Sequence, residues 1–195
     1  QIELKNNTTI ENSEAPKIEP KEEVAKISRK DAISNTKRVK FENENIIGTI
    51  SLEGGIIDDL IFKNYTETLN GSDNVVLLNP RNADDGYFVE TGWVTSSKNI
   101  DVPNSKTLWK IDEGAKLSPS NPIKLHWINN QGIKFEKIIS IDNKFLFTIE
   151  QYITNTSNND YDFYPYGQII RNKAPKVTDF YILHEGLIGV FDDQL

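Results

Sequence analysis

Two histidines, His126 and His184, are the imidazoles of this 195-residue chain, and His184 stands directly before Glu185. A histidine titrates near neutral pH and an adjacent carboxylate can bias its charge, which is the least equipment acid–base chemistry needs. On a strand, neighbouring side chains point to opposite faces, so such a pair cooperates only in a turn. The apolar runs on either side of His184-Glu185, and the Gly186 that follows, make a structural turn the expected role. His126 shares its parity with Lys124 and Ile128, opposite Ile123, Leu125 and Trp127, and is expected on a solvated strand face rather than as a base.

Three acidic pairs, Asp58-Asp59, Asp84-Asp85 and Asp192-Asp193, raise calcium as a ligand, because oxygen-rich turns hold that ion. None of them fits the Asp-x-Asp-x-Asp-Gly loop with a later Glu, and Asn82-Ala83-Asp84-Asp85-Gly86 reads first as a turn. With no Cys and two His, a transition-metal site would have to draw carboxylates from distant strands, and no spacing motif supports one. No phosphate loop, nucleophile elbow or dinucleotide fingerprint occurs. The expectation is therefore no catalytic, cofactor-binding or metal-ligating residue and no cofactor. Trp93, Trp109 and Trp127, with Tyr161, Phe163, Tyr164 and Tyr166, raise carbohydrate stacking, but packing inside and between sheets is the expected use of these rings.

Charge excludes further classes. Lys plus Arg total 22 against 29 Asp plus Glu, a net charge of -7, which repels nucleic acid. No cluster of four or more basic residues would favour an anionic lipid surface. No apolar run approaches the roughly 20 residues that cross a bilayer as a helix. The missing disulfides assign no compartment, since a domain of this size can be stable without them. The chain contains no Met, so it is expected to be a piece of a longer protein.

The elements that must carry these residues are short. Residues 1–36 contain no aromatic residue and mix Glu, Lys, Asn, Ser and Pro, which cannot bury enough apolar surface to offset ordering; a flexible tether is expected there. A thin apolar stripe from Lys21 to Ile33 offers a weaker helical alternative. From Lys37 the pattern becomes β-like runs about 8 to 12 residues apart with turn residues between, the signal of an all-β sandwich. Ile46–Leu52 leads through Glu53-Gly54-Gly55 into Ile56–Phe62, where two glycines supply the positive φ of a tight hairpin. Lys124–Ile128, Ile133–Ile141 and a strand from Phe145 should form an antiparallel meander, with Ile133, Phe135, Ile139 and Ile141 on one face and Phe145, Phe147, Ile149 and Ile153 on one face of the next strand. Pro165, in the run Tyr161–Ile170, cannot donate to a ladder and belongs at an edge or a bulge.

One stretch identifies a family. Phe180-Tyr181-Ile182-Leu183-His184-Glu185-Gly186-Leu187-Ile188-Gly189-Val190-Phe191-Asp192-Asp193 resembles a signature of the large periplasmic domain of bacterial YidC membrane protein insertases, in their alphaproteobacterial branch. The resemblance runs from about Lys37 to the end and includes Ile50-Ser51-Leu52-Glu53-Gly54-Gly55-Ile56-Ile57-Asp58-Asp59-Leu60, Tyr65 and Val76-Leu77-Leu78. Leu187 stands where relatives often carry Pro, which alters the turn slightly.

The resemblance implies a fold and a role. The fold would be a twisted antiparallel β-sandwich of the supersandwich, galactose mutarotase-like type, incomplete at its C-terminal end, with residues 1–36 as linker and 37–195 as the periplasmic domain. The role would be non-catalytic: docking of Sec translocon components (SecD/SecF, SecYEG) on the periplasmic side of the inner membrane. Nascent membrane proteins would be met through the parent protein, whose membrane helices lie outside this chain. The shared fold makes a carbohydrate-binding or mutarotase-like module the competing expectation.

Overall fold

The computed structural model describes residues 27–113 and 116–174, and the elements below belong to these. A helix, α1 (Arg29–Ser34), precedes eleven strands: β1 (Arg38–Glu42), β2 (Ile46–Ser51), β3 (Ile56–Thr66), β4 (Asn74–Leu78), β5 (Tyr87–Thr95), β6 (Lys110–Glu113), β7 (Lys116–Leu117), β8 (Ile123–Ile128), β9 (Ile133–Ile141), β10 (Phe147–Asn155) and β11 (Phe163–Arg171). They form a seven-stranded sheet ordered β11-β5-β3-β2-β1-β7, with β4 also paired to β3, and a four-stranded sheet ordered β10-β9-β8-β6. Pairing is antiparallel except for β1 with β7, which run parallel over Lys40↔Lys116 and Phe41↔Leu117.

Alternation dictates how the sheets face each other. Val39 and Phe41 from β1, Ile50 from β2 and Trp93 from β5 meet Ile123 and Leu125 from β8 and Ile133, Phe135 and Ile139 from β9 in one apolar core. The Trp93 ring lies 5.2 Å from that of Phe135, and Phe41 meets Phe147 edge-on at 5.2 Å, so both contacts bridge the layers. The expected meander is present, with β9 in register from Ile123↔Ile139 on one side to Phe147↔Ile141 on the other.

The β2–β3 turn depends on its glycines. Gly54 and Gly55 have φ of 77° and 60°, values that L side chains rarely adopt. Gly54 N donates to Thr107 O at 2.8 Å and Trp109 N to Leu52 O at 2.8 Å, which stitches the segment before β6 onto the hairpin. Pro165 sits opposite Trp93 on β11, an edge strand, as its missing N–H requires.

Three local expectations are corrected. Residues 27–36 are folded against the sandwich: Ser28 caps α1 by accepting from Asp31 N at 3.2 Å, Ala32 is buried, and Ile27 N donates to Asn82 O at 3.4 Å. The helix overlaps the end of the thin apolar stripe read over Lys21–Ile33, and its cap, the burial of Ala32 and the pairing of Arg29 with Asp59 hold it. Phe145 lies in the turn before β10 and is 46% exposed, because Asp142 Oδ1 accepts from Lys144 N and Leu146 N and holds that turn ahead of the strand. The strand expected from Tyr161 begins at Phe163.

Candidate functional site

Two of the places where charged groups are buried lie at interruptions of the large sheet's ladder. On the outer face of the seven-stranded sheet, Thr49 pairs with Asp59 and Ile50 with Ile57, which leaves Asp58 as the extra residue of a β-bulge. Adjacent strand residues ordinarily face opposite ways, but here Asp58 and Asp59 both meet the Arg38–Thr49 side. Asp58 pairs with Arg38 and Asp59 with Arg29 of α1. Thr49 Oγ1 donates to Asp59 Oδ2 at 2.7 Å, while Arg38 donates through Nε to Thr49 Oγ1 at 2.6 Å and through a terminal nitrogen to Thr36 Oγ1 at 2.9 Å. Burial raises the Asp58 pKa above the usual carboxylate value, and the Arg38 charge opposes that rise.

Between α1, β1 and β3 this cluster leaves a cavity of about 30 Å³ bordered by Arg38, Asp58, Arg81 and Ser105, room for roughly one water molecule. Farther along the same face, Arg81 pairs with Glu90, which also accepts from Tyr166 Oη at 2.7 Å and Gln168 Nε2 at 3.3 Å. Burial and the Glu90 carboxylate raise the Tyr166 pKa, so the phenol stays protonated and remains a donor. The carboxylates of Asp58, Asp59 and Glu90 are thus each paired with an arginine.

The second place is the interior of the sandwich. Lys137 lies on β9 with the same parity as Ile133, Phe135, Ile139 and Ile141, and is 1% exposed. Its Nζ crosses to the other sheet and donates to Thr91 O at 2.6 Å and Gly55 O at 3.2 Å, with the Trp109 ring centred 4.8 Å away. Burial lowers the lysine pKa to about 8, with the Glu90 charge acting in the other direction. Its cross-strand partner Gln151 donates to Gly92 O at 3.0 Å. Parity reading missed Lys137 as an interior residue; its place in an otherwise apolar row was the available signal.

The remaining residues of chemical interest separate rather than converge. His126 lies on the outer face of the four-stranded sheet, its Nδ1 2.5 Å from Asp112 Oδ1 without hydrogen-bond alignment. Nearby, Glu136 is held by Lys124 and Lys134, each at 2.9 Å, and these hydrogen bonds lower its pKa. Asp84 pairs with Lys173 and Asp85 accepts from Asn79 Nδ2 at 3.1 Å, in the turn expected there. Among the described residues, no three His, Cys, Asp or Glu come together as a metal site. Trp93 and Trp109 are buried and stack at 6.2 Å, and Trp127 packs on Phe135 at 5.8 Å. Trp93, Trp109, Trp127, Tyr161 and Phe163 therefore pack in or against the core, whereas Tyr166 serves Glu90 on the outer face and Tyr164 is exposed on β11. His184-Glu185, Asp192-Asp193 and the whole of Phe180–Asp193 lie outside the described residues.

Comparison with known proteins places the chain in a family. Residues 38–195 match the family described as the YidC periplasmic domain. A membrane protein insertase YidC of Pelagibacter ubique (strain HTCC1062) is 49% identical over 193 residues, 98% of this chain and 35% of that protein. Proteins of the same name from Methylorubrum extorquens (strain PA1) and Rickettsia akari (strain Hartford) are 42% and 41% identical over 84% and 83% of this chain, and 26% and 29% of their own lengths. The chain thus spans about a third or less of these relatives. No described helix is long and apolar enough to cross a membrane. A family match running from the first strand of the sandwich to the last residue, with relatives this similar across nearly all of the chain, makes it a member of the YidC periplasmic domain family.

Proposed function

We propose that this chain is a non-catalytic docking domain of a YidC-type insertase, standing at the periplasmic face of the inner membrane and contributing to membrane protein insertion through partner contacts. In this reading residues 37–195 form the domain and the chain before them is its tether, with residues 27–36 packed on the sandwich. SecD/SecF and SecYEG are the proposed partners, and nascent membrane proteins are met through the parent protein. The observation that supports a non-catalytic role is the use of the buried charges: Asp58, Asp59, Glu90 and Lys137 each tie one part of the sandwich to another, and the cavity beside Asp58 has room for roughly one water molecule.

The test uses the full-length parent in its membrane. Deleting residues 37–195 is expected to abolish co-purification with SecD/SecF, and an unchanged complex would overturn the docking role. Titrating the 195-residue chain with galactose and glucose while following tryptophan fluorescence is expected to give no response. A saturable change would favour a carbohydrate-binding module instead.

A further inference from the structure

The seven-stranded sheet has a seam. β5 pairs with β11 along its whole length, from Tyr87↔Arg171 to Thr95↔Phe163, whereas β5 and β3 share the single register pair Ile57↔Val89. Continued by two residues, that antiparallel ladder would set Gly55 opposite Thr91. No rung forms there. The two carbonyls instead receive the ammonium of Lys137, which arrives from the opposite sheet.

Trp109 fills the rest of the seam: its Nε1 lies 2.8 Å from where a Cβ on Gly55 would stand, and its ring lies on the Trp93 ring. At the far end, β5 is secured by the Asn79↔Tyr87 bridge and by Arg81 on Glu90. Among the described residues, the Thr91–Thr95 half has no strand neighbour on the β3 side. It depends on Lys137, on Gln151 donating to Gly92 O, and on the packing of Trp93.

We propose that Lys137 is a latch: by spanning Gly55 and Thr91 it closes the seam, and when it lets go the Thr91–Thr95 half of β5 parts from the sheet together with its β11 partner, Phe163–Gly167. Local opening in such contiguous units is how folded domains commonly fluctuate, and strands with few ladder bonds open first. Lys137 acts through the strands it ties and is a positioning residue. The consequence is a conformational device in which one side chain of the small sheet controls an edge ribbon of the large one.

Hydrogen exchange read by mass spectrometry on the 195-residue chain tests this. Lys137→Met keeps the apolar stem and removes the donor. It is expected to speed exchange in 91–95 and 163–167 by about tenfold or more, while residues 47–51 of β2 change by less than about twofold. Ile139→Val trims the same face of β9 away from the seam, and its effect is expected to be the same in both regions. Equal effects of Lys137→Met on both regions, or none, would overturn the latch. If Lys137→Met does not fold, the wild-type chain in sub-denaturing urea decides. Exchange of 91–95 and 163–167 through an opening with a smaller urea dependence than that of β2 supports the latch, and one common dependence overturns it.

Discussion

The outer face of the seven-stranded sheet and the interior of the sandwich both bury charge, yet they neutralise it differently. Outside, Arg38 meets Asp58 and Arg29 meets Asp59, so each charge has an opposite charge as partner. Inside, Lys137 meets two neutral carbonyls and an indole face. Removing one member of an ion pair strands the other charge in a poorly solvated place, whereas removing Lys137 strands only carbonyl dipoles. The bulge at Asp58 and the seam beside Gly55 are the two irregularities that make these arrangements possible. The Asp58 carboxylate and the Lys137 ammonium thus both sit where the ladder of the large sheet is interrupted.

The largest effect is therefore expected on the outer face. Asp58→Ala leaves Arg38 buried without its partner and should lower unfolding free energy by about 3 to 5 kcal/mol in urea titration. The double variant Arg38→Met with Asp58→Leu should recover a large part of that loss. A double variant as unstable as the sum of the singles would remove charge pairing as the explanation.

The interior lysine should show itself in pH dependence. Its pKa is about 8 in the fold, below the ordinary 10.5, so the unfolded chain holds the proton more tightly between these values. The stabilising contribution is full above pH 10.5 and is lost as pH falls to 8. Stability of the wild type relative to Lys137→Met should thus rise by up to about 3 kcal/mol across that window. Of the charged groups that act on it, Glu90 favours its charged form and Arg81 opposes it. A difference that stays flat from pH 8 to 10.5 would mean that the amine is solvated.

Smaller effects sharpen the contrast. Gly55→Ala places a Cβ against Trp109 at a φ of 60°, and should cost about 1 to 3 kcal/mol and change tryptophan fluorescence. The exposed pair Lys116 with Glu42 sets the lower limit: Lys63 also contacts Glu42, and Lys116→Gln should change stability by less than about 0.5 kcal/mol. A loss above about 1 kcal/mol there would show that burial is not what separates the strong contacts from the weak ones.

Much of the framework was legible in the residues. Gly54-Gly55 announced the β2–β3 hairpin, Ile133, Phe135, Ile139 and Ile141 announced the inner face of β9, and Pro165 announced an edge. Period-two reading assumes an unbroken ladder, and it failed where the ladder breaks. The bulge that turns Asp58 and Asp59 to one side leaves no mark in a pattern of two acids between apolar residues. Lys137 occupies an inward position, but a lone lysine in an apolar row gives no hint of the carbonyls waiting across the sandwich. The Phe180–Asp193 stretch pointed to the family through its resemblance, while the residues that organise the described fold precede it in the sequence.

In the proposed role the buried charges hold the domain together and take no part in insertion. Its most direct test is insertion of a test membrane protein by the full-length parent carrying Lys137→Met, reconstituted in vesicles, with folding and SecD/SecF co-purification checked on the same preparation. The account predicts an insertion rate within about twofold of wild type wherever the domain is folded, since the lysine acts only within the fold. A fall of about tenfold or more with folding and partner binding intact would give Lys137 a part in the activity and contradict the account.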